Sequence, residues 1–213
     1  MKKLSELRVD YSMKENFNLE ASPQNPMDLF KDWFSEAREK IDKDANAMAL
    51  GTIDKNGFPR TRFVLLKEIH ENGFIFYTNY TSQKGQDIED CNKVSLTFLW
   101  KDLEKQVRIV GAAYKVDREK SKEYFHSRPR ESQIAAYVSA QSSPLESKDV
   151  LKERFEMATQ QFMDQEIPYP AFWGGYLVEP IEIEFWQGRE SRMHDRIVYT
   201  KKYSEWIKTL LQP

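Results

Sequence analysis

The residues best suited to chemistry collect near the C-terminus, in Gln187-Gly188-Arg189-Glu190-Ser191-Arg192-Met193-His194-Asp195-Arg196. In a strand every second side chain shares a face, so Arg192, His194 and Arg196 are expected on one side, with Met193 and Ile197 opposite. Three potential cations side by side repel one another unless an anion lies among them. A solvated edge strand with basic decoration carries the same residue types. A second cationic strand is Arg60 to Lys67, where Arg62 lies inside an apolar run and needs a partner. A phosphate suits its planar guanidinium, and an internal ion pair is the other solution. Lys67 has the opposite strand parity. If both residues serve one site, the strand must bulge or end between them.

Three further segments suit an anion. Thr81-Ser82-Gln83-Lys84-Gly85 opens a predicted helix, whose free N–H groups with Ser and Lys side chains make a phosphate cradle or simply a cap. In Tyr124-Phe125-His126-Ser127-Arg128-Pro129-Arg130-Glu131-Ser132, Pro129 ends one helix and starts another. That puts Arg128 and Ser132 near a helix N-terminus, beside the Tyr124 hydroxyl; a helix corner with surface arginines reads the same way. Gln141-Ser142-Ser143-Pro144 is a short polar loop. Phe172-Trp173-Gly174-Gly175 and Phe185-Trp186-Gln187-Gly188 are aromatic strand ends, a pattern more often core than cofactor wall. Several possible phosphate positions, no acidic cluster for a metal and no Ser/His/Asp arrangement point to a flat phosphorylated cofactor and a phosphorylated substrate.

The elements that must position these groups are mostly strands. Ala47 to Ile53, Arg60 to Leu66, Phe74 to Asn79, Val94 to Trp100, Gln106 to Val116, Trp173 to Val178, Ile181 to Gln187, Met193 to Thr200 and Trp206 to Leu211 read as strands. Asn56-Gly57 and Asn72-Gly73 favour hairpin turns, so the first three are expected to be antiparallel neighbours. Helices are expected from Pro26, over Thr81 to Cys91, on both sides of Pro129, and over Ser147 to Met163. The fold class is mainly β with peripheral helices (α+β), an antiparallel barrel. Residues 1–25 are polar and read as an arm or lid, or as a frayed terminus, before one domain over 26–213. A Gly-x-Gly-x-x-Gly motif is absent, against a dinucleotide-binding doubly wound fold.

A net charge of -2 over 213 residues gives no sign of nucleic acid or an anionic membrane as partner. One cysteine, Cys91, excludes an intramolecular disulfide and suits the cytoplasm. No signal peptide or membrane span is expected.

In this order the segments resemble the pyridoxamine 5'-phosphate oxidase family. The resemblance rests on Arg62-Phe63-Val64-Leu65-Leu66-Lys67, Phe76-Tyr77-Thr78-Asn79, Gln106-Val107, Tyr124 through Pro129, Ser132-Gln133-Ile134, Gln141-Ser142-Ser143, Phe172 through Gly175, Glu184 through Gly188, and Arg192 through Arg196. It implies a dimeric split barrel with flavin mononucleotide (FMN) between subunits. It implies oxidation of pyridoxamine and pyridoxine 5'-phosphate by O2 to pyridoxal 5'-phosphate, with hydrogen peroxide as by-product.

By position the resemblance assigns FMN contacts to Arg62, Phe63, Val64, Leu65, Leu66, Lys67, Tyr77, Thr78, Gln83, Lys84, Gln106, Gln141, Ser142, Trp186 and Arg196. It assigns the substrate phosphate to Lys67, Tyr124, Arg128 and Ser132, the substrate ring to Arg192 and His194 as the catalytic pair, and closure over the substrate to Arg8 and Tyr11. Gln83 stands where the family usually has arginine, as do Lys105 and Leu210, and the first change removes a cation from the expected FMN phosphate site. The other readings are a split-barrel flavin reductase using a nicotinamide donor, without the Tyr124/Arg128/Ser132 pocket, and a flavin or pyridoxal-phosphate carrier without turnover.

Overall fold

A computed structural model of the chain describes Lys3, Tyr11, Asn18 and residues 21–213. The expected contact Arg8 and most of the expected arm lie outside the described residues.

Helix α1 spans Pro26–Lys40. The Asn25 side chain accepts from the Met27 N–H, proline occupies the first turn, and Asp28 and Lys40 match the helix dipole at its two ends. Its apolar face enters the barrel: Phe30 is fully buried, with its ring edge-on to Phe74 at 4.7 Å and to Phe98 at 5.1 Å. Truncating such a ring to alanine costs about 3–5 kcal/mol. Beside it Glu36 pairs with Lys105, whose ammonium lies 4.7 Å from the Trp33 ring.

Among the described residues nine strands make one antiparallel sheet: β1 (Ala47–Ile53), β2 (Pro59–Leu65), β3 (Glu68–His70), β4 (Gly73–Asn79), β5 (Lys93–Trp100), β6 (Lys105–Lys115), β7 (Trp173–Gln187), β8 (Asp195–Lys202) and β9 (Glu205–Leu210). The order is β2-β1-β5-β6-β7-β4-β3, with β8 paired to β7 and β9 to β8. β7 explains the curl. Its first half pairs with β4 and its second half with β8, while β6 follows it along both halves. The change of partner falls around Pro180, which has no N–H to give a ladder. Opposite it β6 is irregular at Val110/Gly111, and a Cβ on Gly111 would lie 2.2 Å from the Glu179 carbonyl oxygen. A sheet split this way closes on itself as a split barrel around Phe74, Phe76, Phe98, Trp100 and Phe185.

The remaining helices are α2 (Gln83–Asp90), α3 (Arg118–Ser127), α4 (Arg130–Val138) and α5 (Lys148–Gln161). The last three enclose a second apolar cluster of Phe125, Ile134, Ala158, Phe162 and Trp173, which fixes the α3–α4 corner over the start of β7. No helix among the described residues is long and apolar enough to cross a membrane.

Three expectations are corrected. The segments 173–178 and 181–187 form one strand, because Pro180 sits at a partner exchange rather than at a break. β2 and β4 are not ladder neighbours: the Asn72-Gly73 turn joins β4 to the three-residue β3. Met193 and His194 precede β8, which begins at Asp195; Glu190–Arg192 form a 3₁₀ turn with Ser191 and Arg192 at positive φ. Arg192, His194 and Arg196 therefore do not share a strand face.

Candidate functional site

Most of the expected phosphate ligands meet in one cleft of about 620 Å³, bounded by the end of β2, by β4, by the start of α2 and by the α3–α4 corner. Lys67, Lys84 and Arg128 line it together with Tyr77, Thr78, Tyr124, Ser132, Gln141 and Trp173, and among the described residues no carboxylate lines it. Phe63 and Leu65 contribute exposed apolar side chains at its rim. Leu66 instead is buried in the barrel core and does not line the cleft.

β2 ends at Leu65. The Leu66 N–H donates to Asn46 O and the Lys67 N–H to Ile75 O, both at 2.8 Å, so the chain leaves β1 and crosses to β4. Lys67 lines the cleft with Phe63, Val64 and Leu65, whereas Arg62 does not line it.

At the start of α2 the buried Ser82 hydroxyl donates to Asn79 O at 2.7 Å and accepts from the Gly85 N–H. Lys84 follows, its Nζ at 2.8 Å from Gln141 Oε1, 3.1 Å from Thr78 Oγ1 and 3.2 Å from Ser82 Oγ. All three are neutral oxygens. Burial, and then the Arg62 charge, hold the Lys84 ammonium down to about 8. A cation held so is stabilised by an incoming anion. Behind it Arg62 does have an internal ion pair: Nη2 lies 3.5 Å from Asp87 Oδ2, while Nη1 donates to Thr52 Oγ1 at 2.6 Å. The same buried carboxylate accepts from Thr52 Oγ1 at 2.7 Å and from Gln83 Nε2 at 2.9 Å. The Gln83 amide is thus engaged with Asp87, on the cradle's inner side.

At the other end Arg128 caps α3 in an extended conformation, as the following proline requires. Its guanidinium lies 4.7 Å above the Trp173 ring, and its buried Nη1 has no hydrogen-bond partner among the described residues. Tyr77 stacks on Tyr124 at 3.9 Å and on Trp173 at 5.5 Å. Burial pushes the Tyr77 phenol up to about 12 and raises that of Tyr124, so both remain hydroxyl donors at neutral pH. Ser142, at φ 71 beside Gln141, does not line the cleft.

A second group forms at the end of β7. Gln106, Trp186 and Arg196 lie in register across β6, β7 and β8. The loop between β7 and β8 is closed by Arg189, which bonds Asp195 Oδ2 at 2.6 Å and donates its backbone N–H to His194 Nδ1 at 3.1 Å. These bonds override strand geometry through Arg192. His194 packs 4.7 Å from Trp186 and 5.3 Å from Tyr11, whose ring occupies the space a Cβ on Gly188 would take. Burial, and then Arg192, lower the His194 pKa. Because Nδ1 accepts a hydrogen bond, the neutral ring carries its proton on Nε2. None of Tyr11, Gln106, Trp186, Arg192, His194 and Arg196 lines the cleft of the same chain.

Sequence reasoning missed Asp87 and Thr52 behind Arg62, Glu184 beside Arg196, and Trp173 as a wall of the cleft. The aromatic strand end at Trp173 was the one available signal. Among the described residues no cluster of His, Cys, Asp or Glu suits a metal ion.

A sequence profile described as pyridoxamine 5'-phosphate oxidase matches residues 34–162, and one described as the pyridoxine 5'-phosphate oxidase C-terminal dimerisation region matches residues 173–213. A pyridoxine/pyridoxamine 5'-phosphate oxidase of Shewanella pealeana is 45% identical over 213 residues, covering 100% of both chains. That of Leptospira interrogans is 47% identical over 212 residues, covering 99% of each. Among solved structures, PhzG from Burkholderia lata, in complex with tetrahydrophenazine-1-carboxylic acid, superposes with a TM-score of 0.87 at 27% identity, covering 91% of this chain and 95% of that one. The chain belongs to the pyridoxamine 5'-phosphate oxidase family.

Proposed function

We propose that the chain is an FMN-dependent oxidase that converts pyridoxamine and pyridoxine 5'-phosphates to pyridoxal 5'-phosphate. Pyridoxine phosphate and O2 yield the aldehyde and hydrogen peroxide; the amine also consumes water and releases ammonia. One observation carries the reading: a single cleft holds two cationic stations and, among the described residues, no carboxylate. The first is Lys84 with Thr78 and Ser82 at the start of α2, backed by Arg62. The second is Arg128 with Tyr124 and Ser132, joined by Lys67. Two stations suit a cofactor phosphate and a substrate phosphate at once. A flavin reductase needs only the first.

The buried, unbonded Arg128 Nη1 and the carboxylate-free Lys84 fit the phosphates of such a pair. FMN, when bound, would supply the redox chemistry for two-electron oxidation of the substrate carbon, with O2 as the final acceptor. The protein's part is to bind and orient. Tyr124 and Ser132 donate hydroxyl hydrogens to the substrate phosphate and Arg128 neutralises it. Arg192 and His194 hold the pyridine ring at reacting distance. These two lie away from the cleft of their own chain, so they act on the cleft of a second copy in a homodimer, and Tyr11 from residues 1–25 closes over the substrate. Gln106, Trp186 and Arg196 complete the flavin pocket from the same side.

The test is turnover. Purified protein with FMN, O2 and each phosphorylated vitamer should give aldehyde absorbance and stoichiometric peroxide. Binding without turnover would make it a carrier, and turnover only with a nicotinamide donor would make it a reductase.

A further inference from the structure

Arg196 is held in an unusual way. Glu184, on β7, is 4% exposed and accepts from two arginines at once: Arg108 Nη1 at 3.2 Å and Arg196 Nε at 2.8 Å. A buried carboxylate needs a cationic partner, but one would serve. The second pairing is made diagonally, because the strand neighbour opposite Arg196 is Trp186 and the one opposite Glu184 is Val198. Arg196 thus leans forward along β8, toward Val198, to reach Glu184. Its Nη1 donates to Gln212 O at 3.0 Å. Engagement through Nε fixes the plane of the guanidinium, and the remaining N–H groups on Nη1 and Nη2 make no hydrogen bond to the described residues. An arginine is rotamer-rich, and a ligand that must order it first binds more weakly by that cost.

We infer that Glu184 is the positioning residue for Arg196, fixing the guanidinium by its Nε so that its outer edge is already presented to the flavin. The inference rests on the FMN reading above. It gives Glu184 a role opposite to its charge: a carboxylate beside a pocket for an anionic cofactor should weaken binding by repulsion, yet here its removal weakens binding because Arg196 is released.

FMN titration of the apoprotein, followed by flavin fluorescence, decides between these. Glu184→Gln should raise the FMN Kd roughly tenfold, and Glu184→Asp should recover most of the loss. In an Arg196→Ala background, Glu184→Gln should add nothing, since its action runs through Arg196. Sulfite affinity of the loaded protein, which reports positive charge near the flavin ring, should fall in parallel in Glu184→Gln. An unchanged or tighter FMN Kd in Glu184→Gln, with Arg196→Ala weakened, overturns the positioning role and leaves the FMN reading intact. An equal loss in the Arg196→Ala background, accompanied by a lower melting temperature, makes Glu184 a structural residue only. Unchanged FMN affinity in Arg196→Ala removes Arg196 from the flavin site, and the inference falls with that assignment.

Discussion

Among the described residues Lys84 has three oxygen neighbours and no carboxylate, so an arriving anion would balance its charge. Its free-state pKa of about 8 is below the lysine norm, and a bound phosphate raises it. The phosphate itself is fully ionised above pH ~7. FMN affinity should therefore be level between pH ~7 and 8 and decline as pH rises above about 8, with proton uptake on binding above that pH. Titrations at several pH values check this, and Lys84→Met should weaken binding and flatten the profile. At the other station Arg128→Ala should lower kcat/KM for both phosphorylated vitamers by about 10- to 100-fold, the worth of a charged hydrogen bond. FMN affinity should hold. Lysine at 128 should not restore activity, because it lacks the planar fork that lies on Trp173. The motif residues around both stations were legible from local signals, a helix start and a proline. Asp87 and Glu184 were not, because each matters through a partner on another element that no spacing reveals.

Among the elements, Ala47–Ile53 follows the sequence pattern directly, since Asn56-Gly57 marks its end and its side chains alternate inward and outward. β3 is three residues long, too short for any period to show. The Arg192–Arg196 row failed because bonds from the Arg189 side chain to Asp195 and from the Arg189 backbone N–H to His194 hold a loop where alternation implied a strand. α1 is attached to β6 by the Glu36–Lys105 pair. Burial pushes the Glu36 carboxyl up, but hydrogen bonds from Lys105 and Lys40 more than offset it and keep it below its usual 4.5. A depressed carboxyl stabilises the fold above its unfolded pKa and loses that contribution as pH falls through the folded value. Glu36→Gln should thus be less stable by about 1–3 kcal/mol near pH 7. The gap should close below pH ~4, which urea melts at several pH values would reveal.

For the whole molecule, the separation of the two residue groups makes a prediction that no single-chain site shares. Arg128→Ala and Arg192→Ala homodimers should both be nearly inactive. If Arg128 and Arg192 serve one site from different subunits, each mixed dimer has one intact site of its two. Unfolding and refolding an equal mixture should then restore about a quarter of wild-type activity, since about half the dimers are mixed. No recovery would mean that both residues serve the cleft of one chain. The barrel class was readable from the strand count and turn signals. The proposed sharing of the site between two copies came only from the family resemblance, because residue spacing carries no record of which contacts are made by another copy.

β7 changes partners near Pro180 while β6 accompanies it throughout, so one strand belongs to both halves of the barrel. Neither half can open without disturbing a ladder that the other half shares. Amide exchange should register this as slow, near-equal rates at Ile183 and Phe185 in one half and Tyr176 and Val178 in the other, all set by global unfolding. Loosening the crossing, for instance by Gly111→Ala against the Glu179 carbonyl, should quicken both sets together. A barrel built on this shared strand has a single cooperative lifetime, and the phosphate stations at one end and the Trp186 row at the other persist or are lost as a unit.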